Sequence, residues 1–253
     1  MFVLRRMLLI INAAAWYWAL EFVHANPNLW WLLIASCLPL LLLTIFDFTK
    51  RQLSWRLAQF LILPVLFCTA IFVFLMFIEN VSVYRLLGAG SAVALYLWLS
   101  QVLNYHYFSG RYQAYTLESL SLYLDIITIF FLSGAFFAGL VFFSANLFVV
   151  LPVAAITYGL LSYQVFWSYK FSWAQSWLLV LVNTLVLIEI LAALSFGPMS
   201  FYVNALILTV IYYLITIISR DFLREELSRR RIVSYAILSA IIIILLFLTA
   251  QWS

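Results

Sequence analysis

Charge is the scarcest property of this sequence. Only 9% of its 253 residues are Asp, Glu, Lys or Arg, whereas 68% are hydrophobic. A water-soluble domain carries about 25% charged and about 45–50% apolar residues. The chain therefore cannot cover a water-facing surface, and disorder, which needs low hydrophobicity, is excluded as well. Histidine is almost missing: His24 and His106 are the two present. By the topology derived below they fall on opposite sides of a membrane, which excludes a His-rich zinc site and a bis-histidine haem. The two cysteines, Cys37 and Cys68, lie in apolar runs with no CxxC spacing. They are expected to act as small apolar side chains rather than as ligands or a disulfide. Glycine numbers seven, with no Gly-rich phosphate loop and no GxSxG turn. No cofactor and no metal are expected.

What the chain has in abundance is apolar length. A helix needs about 20 apolar residues to cross a bilayer. Nine segments satisfy this approximately: 3–22, 29–46, 57–78, 81–102, 119–143, 146–165, 174–196, 200–218 and 232–250. Membrane strands would alternate apolar and polar residues, whereas runs such as Ile241 to Leu248 are continuous, so helices are expected. The start, Met1 to Arg6 followed by an apolar run, resembles a secretion signal, with Ala13-Ala14-Ala15 as small residues. The apolar stretch before them is short and the pattern continues to Val23, so an uncleaved first span is expected.

The charges give an independent check. With the N-terminus cytoplasmic, the inner connections hold Arg5, Arg6, Lys50, Arg51, Arg56, Arg111, Lys170, Arg220, Arg224, Arg229, Arg230 and Arg231. Only Arg85 falls outside, so twelve of thirteen basic residues obey the positive-inside rule. The expected fold is all-α: a polytopic bundle of nine spans, N-in and C-out, forming one integral-membrane domain without a soluble domain. The expected location is a cell (plasma or inner) membrane, in a prokaryote. The same distribution explains the net charge of +4 without nucleic acid. Trp30, Trp31, the Tyr105–Tyr115 stretch, Trp167, Trp173, Trp177 and Trp252 fall where interfacial aromatic anchors belong.

The longest polar stretch, 219–231, is expected to be a cytoplasmic helical extension joining spans eight and nine, supported by Glu225–Arg229 and Glu226–Arg230 pairs at i,i+4. Glu225, Glu226 and Arg230 have the Glu-Glu-x-x-x-Arg spacing of CAAX-processing intramembrane proteases. No histidine follows Arg230, and the run lies outside the spans, so that resemblance fails. Leu63-Pro64-Val65 and Leu151-Pro152-Val153 share three residues on oppositely directed spans, too little to establish an inverted repeat. Small pairs at i,i+4 mark helix-crossing faces: Ala15/Ala19, Gly88/Ala92, Gly134/Ala138, Ala135/Gly139 and Ala155/Gly159.

Ionisable residues inside spans are candidates for function, because lipid penalises them. Glu118, Ser121, Asp125 and Thr128 follow i, i+3, i+7, i+10 and share one face of span five over about 15 Å. They would line a polar cleft in which Asp125 holds a cation, a proton or a polar head group, or else bond to neighbouring helices. Arg85 and Glu189 have compatible depths for an ion pair, with Glu21 or Glu79 as other partners for Arg85. Asn12, Asn183 and Asn204 are assigned to packing. The expected function is transport of a small solute or lipid by a small permease-like protein. The alternatives are a non-catalytic membrane-embedded subunit or scaffold, with protein partners or a second copy on the small-residue faces, and a lipid-active intramembrane enzyme. Catalytic spacing is missing, which disfavours the enzyme, while scarce glycine disfavours a large rocking motion. Reporter fusions at residues 1 and 253 should report opposite compartments; both ends in one compartment would overturn the nine-span topology.

Overall fold

Residues 2–48, 55–107 and 116–249 are described by the structure, a computed structural model. Lys50, Arg51, Arg111, Tyr112, Tyr115 and Trp252, which entered the expected topology or aromatic belt, lie outside them. Among the described residues the chain forms nine α-helices and no strand. These are α1 (Phe2–Ala25), α2 (Trp30–Phe48), α3 (Trp55–Leu75), α4 (Val81–Tyr107), α5 (Thr116–Phe142), α6 (Leu147–Ser168), α7 (Trp173–Ser195), α8 (Phe201–Leu223) and α9 (Arg229–Thr249), with a 3-10 turn, Pro27–Leu29, between α1 and α2. Eight are long and apolar enough to cross a membrane, and α2 adds a shorter apolar stretch, Ser36–Phe48. The chain is a multi-pass helical membrane protein. Its contacts divide it into two compact units, Met1–Leu124 and Asp125–Ser253, and the division falls within α5.

In the first unit α1 packs against both α2 and α4. The small face of α4 explains the close approach of α1. A methyl group placed on Gly88 would meet Leu20 at 3.6 Å and Tyr17 at 3.8 Å. Large side chains such as Trp16, Leu20, Ile45, Phe67 and Trp98 fill the interior. Polar groups between these helices are bonded in pairs. Asn12 Nδ2 donates to Thr44 Oγ1 at 2.7 Å and to the Leu8 carbonyl at 2.8 Å. Trp16 Nε1 donates to Ser91 Oγ at 2.9 Å, and Tyr84 Oη to the Leu20 carbonyl at 2.8 Å. At the α2 end, Arg5 meets Asp47 at 2.9 Å and lies 3.9 Å over the ring of Tyr107.

In the second unit α6 packs on α7, α7 on α8, and α8 on α9. Glycine is scarce, so ordinary residues take the left-handed conformation that ends helices. Lys170 has φ 66° and Glu225 φ 57°. After α6, Phe171 N bonds Phe166 O and Lys170 N bonds Trp167 O; after α8, Glu226 N bonds Asp221 O and Glu225 N bonds Phe222 O. Both patterns are Schellman caps, which satisfy the last carbonyls of each helix.

The second cap corrects the expected helical extension over 219–231. Helix α8 absorbs its first residues, the chain breaks at 224–228, and α9 begins at Arg229. The cause is Asp221, which is buried rather than solvated and has Arg231 within 4.0 Å. A continuous helix would separate those residues by about 15 Å. Glu226 accordingly pairs with Arg231 at 3.0 Å, in place of the i,i+4 partner expected for it.

The Asn12–Thr44 bond gives a direct measure of what holds α1 to α2. A double-mutant cycle of Asn12→Leu and Thr44→Val should return a coupling of about 0.6–1.7 kcal/mol in detergent unfolding; a coupling of zero would show that the bond contributes nothing.

Candidate functional site

Polar groups buried in the second unit are treated differently from those in the first. Seven residues there carry buried side-chain atoms that receive no hydrogen bond from a neighbouring helix: Asp125, Ser162, Gln164, Asn183, Asn204, Tyr212 and Thr216. Among the described residues all seven belong to Asp125–Ser253 and none to Met1–Leu124. An unbonded buried polar group costs about 1–3 kcal/mol, and more when charged.

Asp125 is the extreme case. It is 0% exposed, and both carboxyl oxygens lack a partner. Tyr212 on α8 lies near enough for the Asp125 charge to act on its hydroxyl. Thr216 stands one turn further along α8, and Ser219 a further turn on the same face. Ser219 Oγ donates to Asn183 Oδ1 of α7 at 3.1 Å, which leaves Asn183 Nδ2 unbonded. On α5 and α6, Ser133 Oγ and Tyr158 Oη share a hydrogen bond of 2.9 Å. One turn beyond Tyr158 on α6 is Ser162, whose hydroxyl is unbonded, and Gln164 nearby is fully buried with both amide atoms unbonded. This set is rich in hydroxyl and amide groups and has one carboxyl. Such chemistry suits a proton, a monovalent cation or a hydrogen-bonding solute better than a divalent metal, which draws on several charged ligands.

The residues singled out from the sequence fall as follows. Glu118, Ser121, Asp125 and Thr128 lie along one face of α5, and all four are buried. Glu118 and Ser121 belong to the first unit, where Ser121 Oγ accepts a hydrogen bond of 3.2 Å from Trp98 Nε1. Asp125 and Thr128 belong to the second. Arg85 has its Nε 3.3 Å from Glu21 Oε1, and Tyr17 Oη donates to the same oxygen at 3.0 Å, so Glu21 is the acid that serves it. Glu189 stands exposed on α7. Asn12 is bonded as packing requires, whereas Asn183 and Asn204 are each left with one unbonded atom.

Sequence reasoning missed Tyr212 and Thr216, whose signal was the polar spacing 212, 216, 219 within an apolar helix. It also missed the buried state of Asp221 at the end of α8. Asp221 accepts from Arg220 at 2.9 Å and from Tyr235 at 3.5 Å. Arg220 and Arg224 in turn lie 5.4 and 5.0 Å from the ring of Tyr169. The cluster ties the ends of α6 and α8 to the start of α9. Asp221→Asn should lower stability by about 1–2 kcal/mol, less than a sealed ion pair because both arginines reach solvent. Thermal unfolding in detergent measures this, and an unchanged transition would remove the cluster from the account.

No curated protein and no solved structure matches the chain. One family model does, over residues 22–249, described as a protein of unknown function (DUF5656). That match takes in α2 to α9 and the last turn of α1, most of the chain, and the chain belongs to this family.

Proposed function

We propose that the chain is a small transport protein of the cell membrane, with Asp125 as the residue that takes up the transported or coupling species. The observation that carries this is the complete burial of a carboxyl group with no partner on either oxygen. Breaking a buried ion pair costs about 3–5 kcal/mol because a lone charge is left behind. Asp125 therefore requires a neutralising species, and a proton, a small cation or the polar group of a solute would serve. Tyr212, Thr216 and Ser219 support a route to it, since they place hydroxyls on one face of α8 over about 10 Å towards its charged end. Intramembrane carboxyl groups of this kind typify proton and ion pathways.

A second function, a membrane-embedded subunit or scaffold, is favoured by one specific observation. Glu189 projects from an exposed face of α7 that also carries Leu181 and Leu185, and a carboxyl among apolar residues suits a protein neighbour better than lipid.

The discriminating experiment reconstitutes wild type, Asp125→Asn and Asp125→Glu into liposomes that contain a pH-sensitive dye, with an imposed potential driving flux. Transport predicts proton flux in wild type, loss to the level of protein-free vesicles in Asp125→Asn, and partial retention in Asp125→Glu, all at equal folded yield. Equal flux in wild type and Asp125→Asn would remove Asp125 from the pathway. A loss of folded protein in Asp125→Asn, with Asp125→Glu folded but inactive in flux, would make the carboxyl structural.

A further inference from the structure

A cavity of about 160 Å³ lies in the first unit among α1, α2 and α3. Two prolines stand beside it. Pro39 interrupts α2 and Pro64 interrupts α3, and proline inside a helix removes a backbone hydrogen bond and bends it. Every cavity residue on α2 and α3 stands close beyond or beside one of these breaks: Cys37, Leu38 and Leu41 around Pro39, and Val65, Cys68 and Thr69 after Pro64, with Phe72 one turn further on. The buried indole of Trp16 from α1 closes the back. Cys37 Sγ donates to the Ala15 carbonyl at 3.8 Å, and Thr69 Oγ1 donates to the Val65 carbonyl of its own helix at 2.8 Å. With Trp16 Nε1 turned away to Ser91 as well, a largely apolar surface is left for an occupant.

From these features we infer that the cavity binds the acyl chain of a bilayer phospholipid, entering sideways between α2 and α3. Size is the first argument. An apolar cavity of about 150 Å³ stays free of water and holds a benzene-sized group, so the space suits a short length of hydrocarbon and is too apolar for a hydrated solute. Access is the second. Two of the lining residues, Leu38, 40% exposed, and Thr69, are exposed at the surface of the chain. Leu42 and Leu43 are also exposed on α2. A helix surface of that composition is bathed in hydrocarbon, whose chains are the nearest molecules able to fill the gap. Depth is the third. Trp16, Cys37 and Cys68 lie well inside their helices, at the level of acyl tails and away from headgroups. The proposal concerns the first unit and stands apart from the role given to Asp125.

The test uses the full chain in liposomes of phosphatidylcholine bearing a diazirine within one acyl chain. After irradiation, peptide mass spectrometry locates the adducts. Acyl-chain binding predicts adducts concentrated on Cys37, Leu38, Cys68 and Thr69, well above those on Ile237 and Ile241, which are exposed on α9. Leu41→Trp should fill the cavity and lower those adducts about tenfold, the order expected when a buried apolar site is lost, while α9 labelling stays constant. Should Leu41→Trp fail to fold, Thr69→Trp closes the cavity from its exposed side and carries the same expectation. Labelling that follows exposure alone, or that neither substitution lowers, would overturn the proposal.

Discussion

Hydrocarbon offers no hydrogen bonds, and that single constraint organises the molecule. Every buried amide, carbonyl and polar side chain must be satisfied within the chain or left unsatisfied at a cost of a kcal/mol or more. Helices meet the demand for the backbone. Their ends are the difficulty, because four carbonyls at each C-terminus have no partner inside the helix. With glycine scarce, Lys170 and Glu225 accept left-handed backbone so that two helix ends can close on themselves. The strain of an ordinary residue in that conformation, about 1–3 kcal/mol, is offset by the carbonyls it satisfies. At the α8–α9 turn two acids, Asp221 and Glu226, offset two arginines, Arg220 and Arg231.

Side chains meet the demand unevenly. Among the described residues of the first unit, Asn12 with Thr44, Trp16 with Ser91 and Trp98 with Ser121 bond from one helix to the next. They resemble the interhelical bonds that hold membrane helices together at a modest energy each. In the second unit Ser133 with Tyr158 and Ser219 with Asn183 bond in the same way, but seven residues keep buried polar atoms without a partner. Selection for stability alone would replace Tyr212 by Phe or Thr216 by Val with little penalty, since neither hydroxyl bonds another helix. In the transport role we propose, a bound species would complete those bonds.

Apolar length made the helices legible in the sequence. A span of about 20 residues with almost no charge leaves few alternatives, and the segments 81–102 and 174–196 fall within or almost on α4 and α7. The turn at 224–228 was not legible, because the charge spacing of 219–231 suits a helix and only the burial of Asp221 breaks it. Burial is a property of the neighbours, which local periodicity does not report. Asp125 stood out as a carboxyl in an apolar run, so the centre of the candidate site was visible. Tyr212 and Thr216 were not, because tyrosine in a membrane chain reads as an interfacial anchor and a lone threonine as packing. Trp16 and Trp98 illustrate the same ambiguity: both are buried and donate to serines, whereas Trp30 and Trp173 are exposed as interfacial anchors would be.

Two carboxyl groups inside spans show why burial, and not charge alone, marks the site. Glu189 lies six residues, about 9 Å, from the end of α7 and is exposed. Whatever surrounds that face, whether water drawn in from the helix end, a lipid headgroup or another protein, can reach it without any change in the fold. Asp125 is enclosed on every side and has the shorter side chain, so nothing outside can neutralise it directly. Anything that binds it must pass between helices, and each exchange requires a path or a motion within the protein. The transport role we propose for Asp125 rests on that enclosure, because controlled access is what separates transport from a leak.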